Sequence, residues 1–401
     1  MPQSPSTADA SIGSVQQRVG AAERLMEEFA ARTGIGGRGD PERRYLWTDA
    51  YAVRAFLGIH RRSGGTVHVD RALALVELVH RTLGRHRPDE RRSGWISGLD
   101  DEAGRRHPTI GGLRIGKPLP ERDHDEPWDE RREWERDGQY FHYLTRWMES
   151  LCLVAESVGD VTHAVHAEEL AHAACDSFVH ARRPGGPLRM HWKMSVDLSR
   201  PQVASMGMMD PLDGLATLCG ITACRRRWDP AFHGLDTDIV AMHRMCRDVP
   251  VWATDDPLGI GGLLSSCAVL VRLTASGLLS FDPLLHRLLA DAERGLESFV
   301  SGHAMSVPTG SRLAFRELGL ALGLQSVPDM QRALRARPSR FGGPRDAASL
   351  LARIEALASN RWLAGSIELA WGAPEAQAQR AWQEHLDINS VMLAASLLPA
   401  E

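Results

Sequence analysis

Helical segments of two kinds alternate along this chain of 401 residues, and the alternation constrains its fold more than any other feature. Segment 14–34 is amphipathic and has one charged face, whereas segment 43–60 is apolar and aromatic around most of its circumference. A helix that is apolar on all sides must be covered on all sides, and an amphipathic helix provides such a cover. Because no run alternates with the period of a strand, we predict an all-α protein built from helix pairs.

Five further pairs follow, each with the amphipathic helix first. They are 69–86 with 138–156, 161–181 with 211–224, 235–247 with 257–276, 282–300 with 311–324, and 345–358 with 361–397. An inner ring of helices wrapped by an outer ring requires this order. We predict an (α/α)6 toroid as a single domain over residues 14–397, after a disordered lead over residues 1–13. The alternative is an open α-solenoid, but the chain has no fixed repeat length.

Composition argues against several classes of partner. A formal net charge of -4, with Lys and Arg scattered among the acids, gives no basic field for nucleic acid. The N-terminal residues lack the basic and apolar regions of a signal peptide. The apolar run 257–271 is shorter than the roughly 18 residues of a membrane span, so we predict a core helix there. We expect a cytoplasmic protein with reduced thiols and no membrane partner; the oligomeric state is left open.

The tripeptide Asp-Pro-Leu occurs three times, beginning at Asp210, Asp256 and Asp282. Asp is a favoured N-cap because its carboxylate accepts hydrogen bonds from the first-turn amides, and Pro is tolerated at the first helical position. We therefore interpret these three aspartates as caps rather than catalytic groups. Asp213 and Asp255 are not explained by capping.

Two connections, 87–137 and 182–210, are much longer than the others. Both run from an outer to an inner helix, and in a toroid all such connections emerge on one rim. Loops longer than about 12–15 residues in compact domains are usually functional or disordered, and these two are rich in Trp and Pro. We predict that they cover the mouth of the barrel.

The apolar helix after the first long loop carries a polar stripe. Gln139, His142 and Arg146 are spaced i, i+3 and i+7, which predicts one helix face. A polar stripe on a buried helix needs partners, and the central cavity of a toroid is one place for them. A satisfied network in the core is the alternative.

The second long loop mixes aromatic, titratable and charged side chains. This mixture suits a polar small molecule, because a tryptophan stacks on a sugar face while charged groups bond to its hydroxyls. We predict substrate contacts here and at the start of the first apolar helix, although each residue alone is more often core packing or a cap. These residues are His191, Trp192, Lys193, Asp197, Arg200, Trp47, Asp49 and Tyr51.

No metal site or cofactor is predicted. His163 and His166 lie on a helix assigned to the outer ring, and the HExxH motif is absent. The glycine-rich segments follow no strand, so a nucleotide fold is not supported, and no nucleophile motif of the GxSxG type is present.

Six alternating helix pairs, with aromatic and acidic residues at the inner-helix starts, resemble the six-hairpin glycosidase and sugar-epimerase superfamily. The resemblance covers residues 14–397 and is architectural, without a motif diagnostic of one family. It implies an (α/α)6 enzyme that acts on a small sugar-like substrate at that rim.

Two mechanisms are compatible with this resemblance. Hydrolysis with inversion needs one protonated carboxyl and one carboxylate that activates water, and the candidates are Asp49, Asp137 and Asp213. Asp137 also suits an N-cap. Epimerisation or isomerisation needs histidines as proton carriers and an arginine that stabilises an oxyanion. The candidates for these roles are His142, His191 and His385, with Arg146 or Arg312.

Two other classes of function remain open. A terpene cyclase would use an Asp acid in an aromatic-lined barrel, or Mg²⁺ and a diphosphate at the acidic clusters around Asp236 and Asp255. A non-catalytic helical binding protein is the third class.

Overall fold

The computed structural model describes residues 13–37, 39–40, 43–183 and 185–398, so most of the lead predicted over residues 1–13 lies outside the described residues. The chain divides into two compact units. The N-terminal unit is Met26–Trp252 with Ser276–Ser280, and the C-terminal unit is Met1–Leu25, Ala253–Ala275 and Phe281–Glu401. Helices dominate both units, which confirms the predicted all-α class. Closure of the helix pairs into one ring stays a prediction.

The first part of the chain contains nine helices and all the strands that the structure describes. The helices are α1 (Val15–Arg32), which begins in the C-terminal unit, α2 (Leu46–Ser63), α3 (Thr66–Leu83), α4 (Asp101–Arg106), α5 (Glu130–Glu135), α6 (Phe141–Val158), α7 (Val161–Phe178), α8 (Asp210–Arg225) and α9 (Asp236–Asp248). The strands are β1 (Gln139–Tyr140), β2 (Val179–Ala181), β3 (Leu188–Met190), β4 (Lys193–Met194) and β5 (Pro201–Val203).

The C-terminal unit contains the remaining helices. They are α10 (Pro257–Ser276), α11 (Leu284–Ser301), α12 (Ala314–Gln325), α13 (Val327–Ala336), α14 (Pro344–Ala358), α15 (Trp362–Gly372), α16 (Pro374–Gln377), α17 (Arg380–Gln383) and α18 (Leu386–Leu397). Short 3-10 turns cover Ala304–Ser306, Thr309–Ser311 and Pro338–Arg340.

The predicted alternation between apolar and amphipathic helices is visible in the burial of the N-terminal unit. Most residues of α8 are buried, whereas α9 buries only Met242, Met245 and Cys246. Within this unit α6 packs against α2 and against α8. These three apolar helices therefore form a continuous layer.

The described residues also contain five short strands that the sequence does not predict. Strands β1, β4 and β5 form an antiparallel sheet in which Tyr140 is paired with Lys193, and β2 pairs with β3. The strands are two or three residues long, too short for a period of two to be recognised. Because β1 uses Gln139 and Tyr140, α6 begins at Phe141 and the predicted start at residue 138 is too early.

Two further points concern the C-terminal unit. Helix α13 lies between the predicted helices 311–324 and 345–358, where no helix is predicted, although its buried residues Val327, Met330 and Leu334 have helical spacing. Helix α10 is 20 residues long and is apolar enough to cross a membrane by length and composition alone. Its bounds match the predicted helix 257–276, and more than half of its most apolar window is buried, as in a core helix.

Glycines bring α10 and α12 into direct backbone contact. A Cβ atom added to Gly261 would lie 2.1 Å from the carbonyl oxygen of Gly319. A Cβ atom added to Gly323 would lie 2.6 Å from the Cα atom of Gly261. Only glycine fits at these positions, so the close packing of the two helices is encoded by residue size.

Candidate active site

Polar and aromatic side chains of α2, α6 and α8 contact one another across the three helices. On each helix three side chains are separated by one step of three residues and one step of four, a spacing that places them on one face. We call this set the three-helix site. It consists of Trp47, Tyr51 and Arg54 on α2, of His142, Arg146 and Glu149 on α6, and of Asp210, Asp213 and Thr217 on α8.

Asp210 occupies the start of α8, but it does not cap the helix. The N-cap residue is Met209, and no side-chain capping hydrogen bond is made there, so the predicted cap is wrong at Asp210. By contrast, Asp256 Oδ2 accepts a hydrogen bond from the Gly259 amide at 3.0 Å, and Asp282 Oδ1 accepts one from the Leu284 amide at 2.8 Å. The predicted cap is therefore confirmed at Asp256. Asp282 bonds to the first amide of α11 from one residue before the N-cap residue Pro283.

The carboxyl group of Asp210 is buried and faces His142. Asp210 Oδ1 lies 3.6 Å from His142 Nδ1. Its other oxygen, Oδ2, is buried and has no hydrogen-bond partner among the described residues. Burial, assisted by the charge of Asp213, raises the pKa of Asp210 to about 8. Asp210 is therefore a protonated carboxyl group at neutral pH.

His142 is neutral as well. Burial lowers the pKa of His142 to about 3, and the nearby charge of Arg146 acts in the same direction. Asp210 does not contribute to the pKa shift of His142, and His142 does not contribute to that of Asp210. The contact between the two residues therefore joins two neutral groups. The imidazole side chain keeps 23% of its exposure, which makes it accessible from solvent.

Arg146 connects the carboxylates in the middle of the site. Its Nη2 donates to Asp213 Oδ1 at 2.6 Å, and its Nη1 donates to both oxygens of Glu149 at 3.0 Å. Burial opposes the charge of the guanidinium group, but the carboxylates of Asp213 and Glu149 raise the pKa of Arg146 above its usual value. The same ion pair favours the ionised form of Asp213.

Glu149 is bound by donors from all three helices. Besides Arg146 it accepts hydrogen bonds from Arg54 Nη1 at 3.0 Å and from Thr217 Oγ1 at 3.1 Å. A carboxylate with three donors is anchored. Glu149 therefore fixes the position of Arg146.

Aromatic rings surround His142. The ring centroids of Trp47, Tyr140 and Trp192 lie 5.9, 5.4 and 6.5 Å from that of the imidazole. Trp192 is nearly parallel to the imidazole, with an interplanar angle of 13°. The site thus combines a protonated carboxyl group, an ionised carboxylate held by arginine, and flat apolar surfaces.

Six of the predicted site residues come together here: Trp47, Tyr51, His142, Arg146, Trp192 and Asp213. Tyr51 joins through its ring contact with Trp47, at 5.3 Å, and through the charges of Arg146 and Asp213. Sequence analysis did not include Arg54, Glu149 and Thr217, and it treated Asp210 as a cap. The continuation of each helical stripe by one further turn was a signal that could have identified them.

Asp137 and Gln139 are used by the loop that precedes α6. Asp137 is fully buried and accepts hydrogen bonds from Arg114 Nη1 at 2.5 Å and from the Gly116 amide at 3.0 Å. The Gln139 side chain bonds to the Leu113 amide and the Val196 carbonyl. Since Gln139 lies on β1, the prediction that it shares a helix face with His142 is wrong. Asp137 does not cap α6 either, because the N-cap residue is Tyr140.

Lys193 and Asp49 are also engaged by the protein. Lys193 Nζ is buried and donates to Glu133 Oε1 at 2.8 Å and to the Arg136 carbonyl at 2.9 Å. Asp49 Oδ2 accepts a hydrogen bond from the Tyr45 amide at 3.1 Å. Both groups therefore support local structure.

The other loop candidates have separate contacts. Asp197 bonds to Ser195, Ser199 and Arg92, which lowers its pKa to about 2 against the opposing effect of burial. Arg200 donates to the Arg122 carbonyl. The imidazole of His191 stacks on His180, with the ring centroids 3.9 Å apart.

Arg312 and His385 belong to the C-terminal unit, whereas the three-helix site belongs to the N-terminal unit. The Arg312 guanidinium group pairs with Glu317, with 2.6 Å between Nε and Oε1. His385 lies against Phe315, with 5.6 Å between ring centroids. The structure therefore does not assign either residue to the three-helix site.

No protein-family model matches the chain, and no curated protein matches it. Among solved structures, the chain is similar to the GH76A alpha-1,6-mannanase from Salegentibacter sp. HEL1_6 at 10% sequence identity and a TM-score of 0.48, with 94% of this chain and 98% of that chain covered. It is also similar to an inactive variant of that mannanase in complex with alpha-1,6-mannotriose. That comparison has 10% identity and a TM-score of 0.45, with 86% of this chain and 99% of the other covered.

Proposed function

We propose that this protein is a carbohydrate-active hydrolase that cleaves a glycosidic bond at the three-helix site. Asp210 donates a proton to the oxygen of the leaving group, and Asp213 is the carboxylate that completes the acid/base pair. The observation that carries the proposal is the difference between these two carboxyl groups on one helix. Burial raises the pKa of Asp210 to about 8, whereas Asp213 is bonded to a guanidinium group at 2.6 Å.

Glycoside hydrolysis requires this division of roles. A general acid must be protonated at the working pH, and its partner must be ionised in order to activate water or attack the sugar. Two carboxyl groups meet both conditions when their environments give them different pKa values. Arg146 maintains the charge of Asp213, and Glu149 in turn positions Arg146.

The surroundings of Asp210 suit a sugar ring. Trp192 is half-buried and offers a flat apolar face of the kind that packs against a pyranose, close to the few polar groups that fix its orientation. The rings of Trp47 and Tyr140 are buried and pack around His142. His142 is neutral and lies beside the acid, so its role is to position the carboxyl group of Asp210 without forming an ion pair with it.

Hydrolysis of a defined panel tests the proposal. The panel consists of p-nitrophenyl glycosides of glucose, mannose and galactose together with maltotriose, cellotriose, xylotriose and alpha-1,6-mannotriose. We expect turnover of at least one member, and a loss of roughly 100-fold or more in kcat for D210N and for D213N on the trisaccharides, whose sugar leaving group must be protonated. The matched control is D282N, because Asp282 stands in the same tripeptide but bonds to the first amide of a helix, and asparagine can accept the same hydrogen bond. Full activity of D210N would contradict the proposal.

Isoprenoid cyclisation is the second candidate, because a buried protonated carboxyl group among aromatic rings also suits protonation of an alkene. Prenyl diphosphates with and without Mg²⁺ therefore belong in the same screen. In the structure Asp236 contacts His233 at 3.0 Å, and the described residues hold no cluster of three metal-ligating groups. A change of configuration in an unhydrolysed sugar would instead assign His142 to epimerisation.

A further inference from the structure

Two tryptophans from different loops meet beside the three-helix site. Trp134 lies on α5 and Trp192 immediately precedes β4; their ring centroids are 4.9 Å apart and their planes form an angle of 76°. Trp192 is also nearly parallel to His142. Aromatic surface therefore continues from the candidate catalytic residues outward to Trp134, which is 49% exposed.

A buried ion pair fixes the position of both tryptophans. Lys193 follows Trp192 and Glu133 precedes Trp134, and Lys193 Nζ lies 2.8 Å from Glu133 Oε1. The same ammonium group donates to the Glu133 carbonyl at 2.8 Å. Both side chains are almost completely buried, and breaking such a pair leaves an uncompensated charge in the interior. The two rings are consequently held in place before any ligand arrives.

The exposure of Trp134 distinguishes it from a packing residue. Trp134 is exposed but not isolated, because it continues the aromatic surface of Trp192, and contiguous apolar surface rimmed by polar residues is typical of binding sites. Trp128 on the same loop is 54% exposed, but its ring packs against the guanidinium group of Arg122, at 5.8 Å, and is not part of the pair formed by Trp134 and Trp192. Trp128 thus provides a matched control.

From this arrangement we infer that Trp134 and Trp192 form an outer sugar subsite, where a pyranose stacks that is not the one whose bond is cleaved. The substrate is then an oligosaccharide rather than a monosaccharide derivative. This inference rests on the proposed function and names the substrate class of the same site. Lys193 and Glu133 are positioning residues of the outer subsite.

The test compares chain lengths. We expect W134A to lower kcat/KM for the trisaccharides of the panel about tenfold more than for the p-nitrophenyl monosaccharides, as expected for loss of one stacking contact. W128A leaves the ratio unchanged. W134F, which keeps an aromatic face, restores most of it and excludes misfolding as the cause. If W134A and W128A give the same ratio while the wild-type protein hydrolyses both substrates, the inference is overturned.

Binding without turnover separates this inference from the proposed function. Titration calorimetry with the trisaccharides uses D210N, D210N/W134A and D210N/W128A. A Kd about tenfold weaker only in D210N/W134A supports the outer subsite, even if no member of the panel is hydrolysed. Equal Kd values in the three variants contradict it. Absence of hydrolysis by the wild-type protein with intact binding contradicts the proposed function alone.

The positioning role has its own readout. The double variant E133Q/K193M removes the ion pair, and the amide oxygen of the glutamine keeps an acceptor for Arg122 Nε, which lies 3.2 Å from Glu133 Oε2 in the wild-type protein. We expect a higher KM for trisaccharides, with kcat much less affected. A merely structural role of the pair would alter thermal stability without altering the ratio between trisaccharides and monosaccharides.

Discussion

The carboxyl group of Asp210 and the imidazole of His142 lie 3.6 Å apart, and both are neutral at pH 7. An Asp and a His at this distance would ordinarily form an ion pair. Here burial favours the uncharged form of each group, and Arg146 and Asp213 reinforce the effect. Asp210 therefore keeps its proton at neutral pH instead of transferring it to His142, and this property makes Asp210 an acid.

Replacing Asp210 changes how stability depends on pH. The raised pKa means that the folded protein binds one more proton than the unfolded chain between about pH 4 and pH 8, so this group makes wild-type stability fall with rising pH. D210N cannot ionise. We expect its free energy of unfolding, relative to wild type, to increase by about 1.4 kcal/mol per pH unit in that window and to be constant above it. Urea denaturation at pH 5, 6, 7 and 8 measures the difference, and a pH-independent difference contradicts the assignment.

His142 acts in the opposite direction. Because its pKa is lowered to about 3, the unfolded chain binds the additional proton between about pH 6.5 and pH 3, and stability is lost as the pH falls through this range. H142Q should therefore lose less stability on acidification than wild type. Denaturation curves at pH 6.5 and pH 4.5 test this, and parallel losses in the two proteins count against a buried neutral imidazole.

Arg146 is the residue whose loss should destabilise the site most. In R146M the carboxylates of Asp213 and Glu149 lose their shared cation inside the protein, which costs about 3–5 kcal/mol. The control is R335M, because the pair of Arg335 with Glu355 is half exposed and contributes less than about 1 kcal/mol. Chemical denaturation of both variants provides the comparison. Equal stabilities would show that the network does not need its arginine.

Neighbouring glycines of α10 should respond in opposite ways to alanine. G261A places a Cβ atom 2.1 Å from the Gly319 carbonyl oxygen, and separating the helices costs about 1–3 kcal/mol or more. A Cβ atom on Gly262 meets nothing within 4 Å, so G262A should stabilise the helix by about 0.5–1 kcal/mol. Thermal unfolding monitored by circular dichroism distinguishes them. Destabilisation of the same size in both variants would contradict the close packing of α10 and α12.

Many of the helices and six of the fifteen predicted site residues could be obtained from residue periodicity and local composition. The helical period locates α2, α6 and α8 to within a few residues, and it places His142 and Arg146 on one face because both belong to α6. Gln139 was misplaced because the short strand β1 interrupts the helical spacing, and a two-residue strand has no recognisable period.

Charged residues were predicted less well, for a physical reason. Asp210, Asp256 and Asp282 share the same local sequence, but only the burial of Asp210 beside α6 changes its role from cap to acid. Lys193 likewise resembles a ligand-binding residue until its pairing with Glu133 is known. Such roles depend on contacts between segments that are distant in the chain, which local patterns do not encode.

The most direct test of the account is the pKa of the Asp210 carboxyl group, measured by NMR on protein carrying ¹³C-labelled aspartate. The resonance is assigned by its absence in D210N. The account predicts a titration near pH 8 for this carbon. A titration near pH 4, the ordinary range for aspartate, would mean that Asp210 is ionised at neutral pH and would contradict its role as the acid.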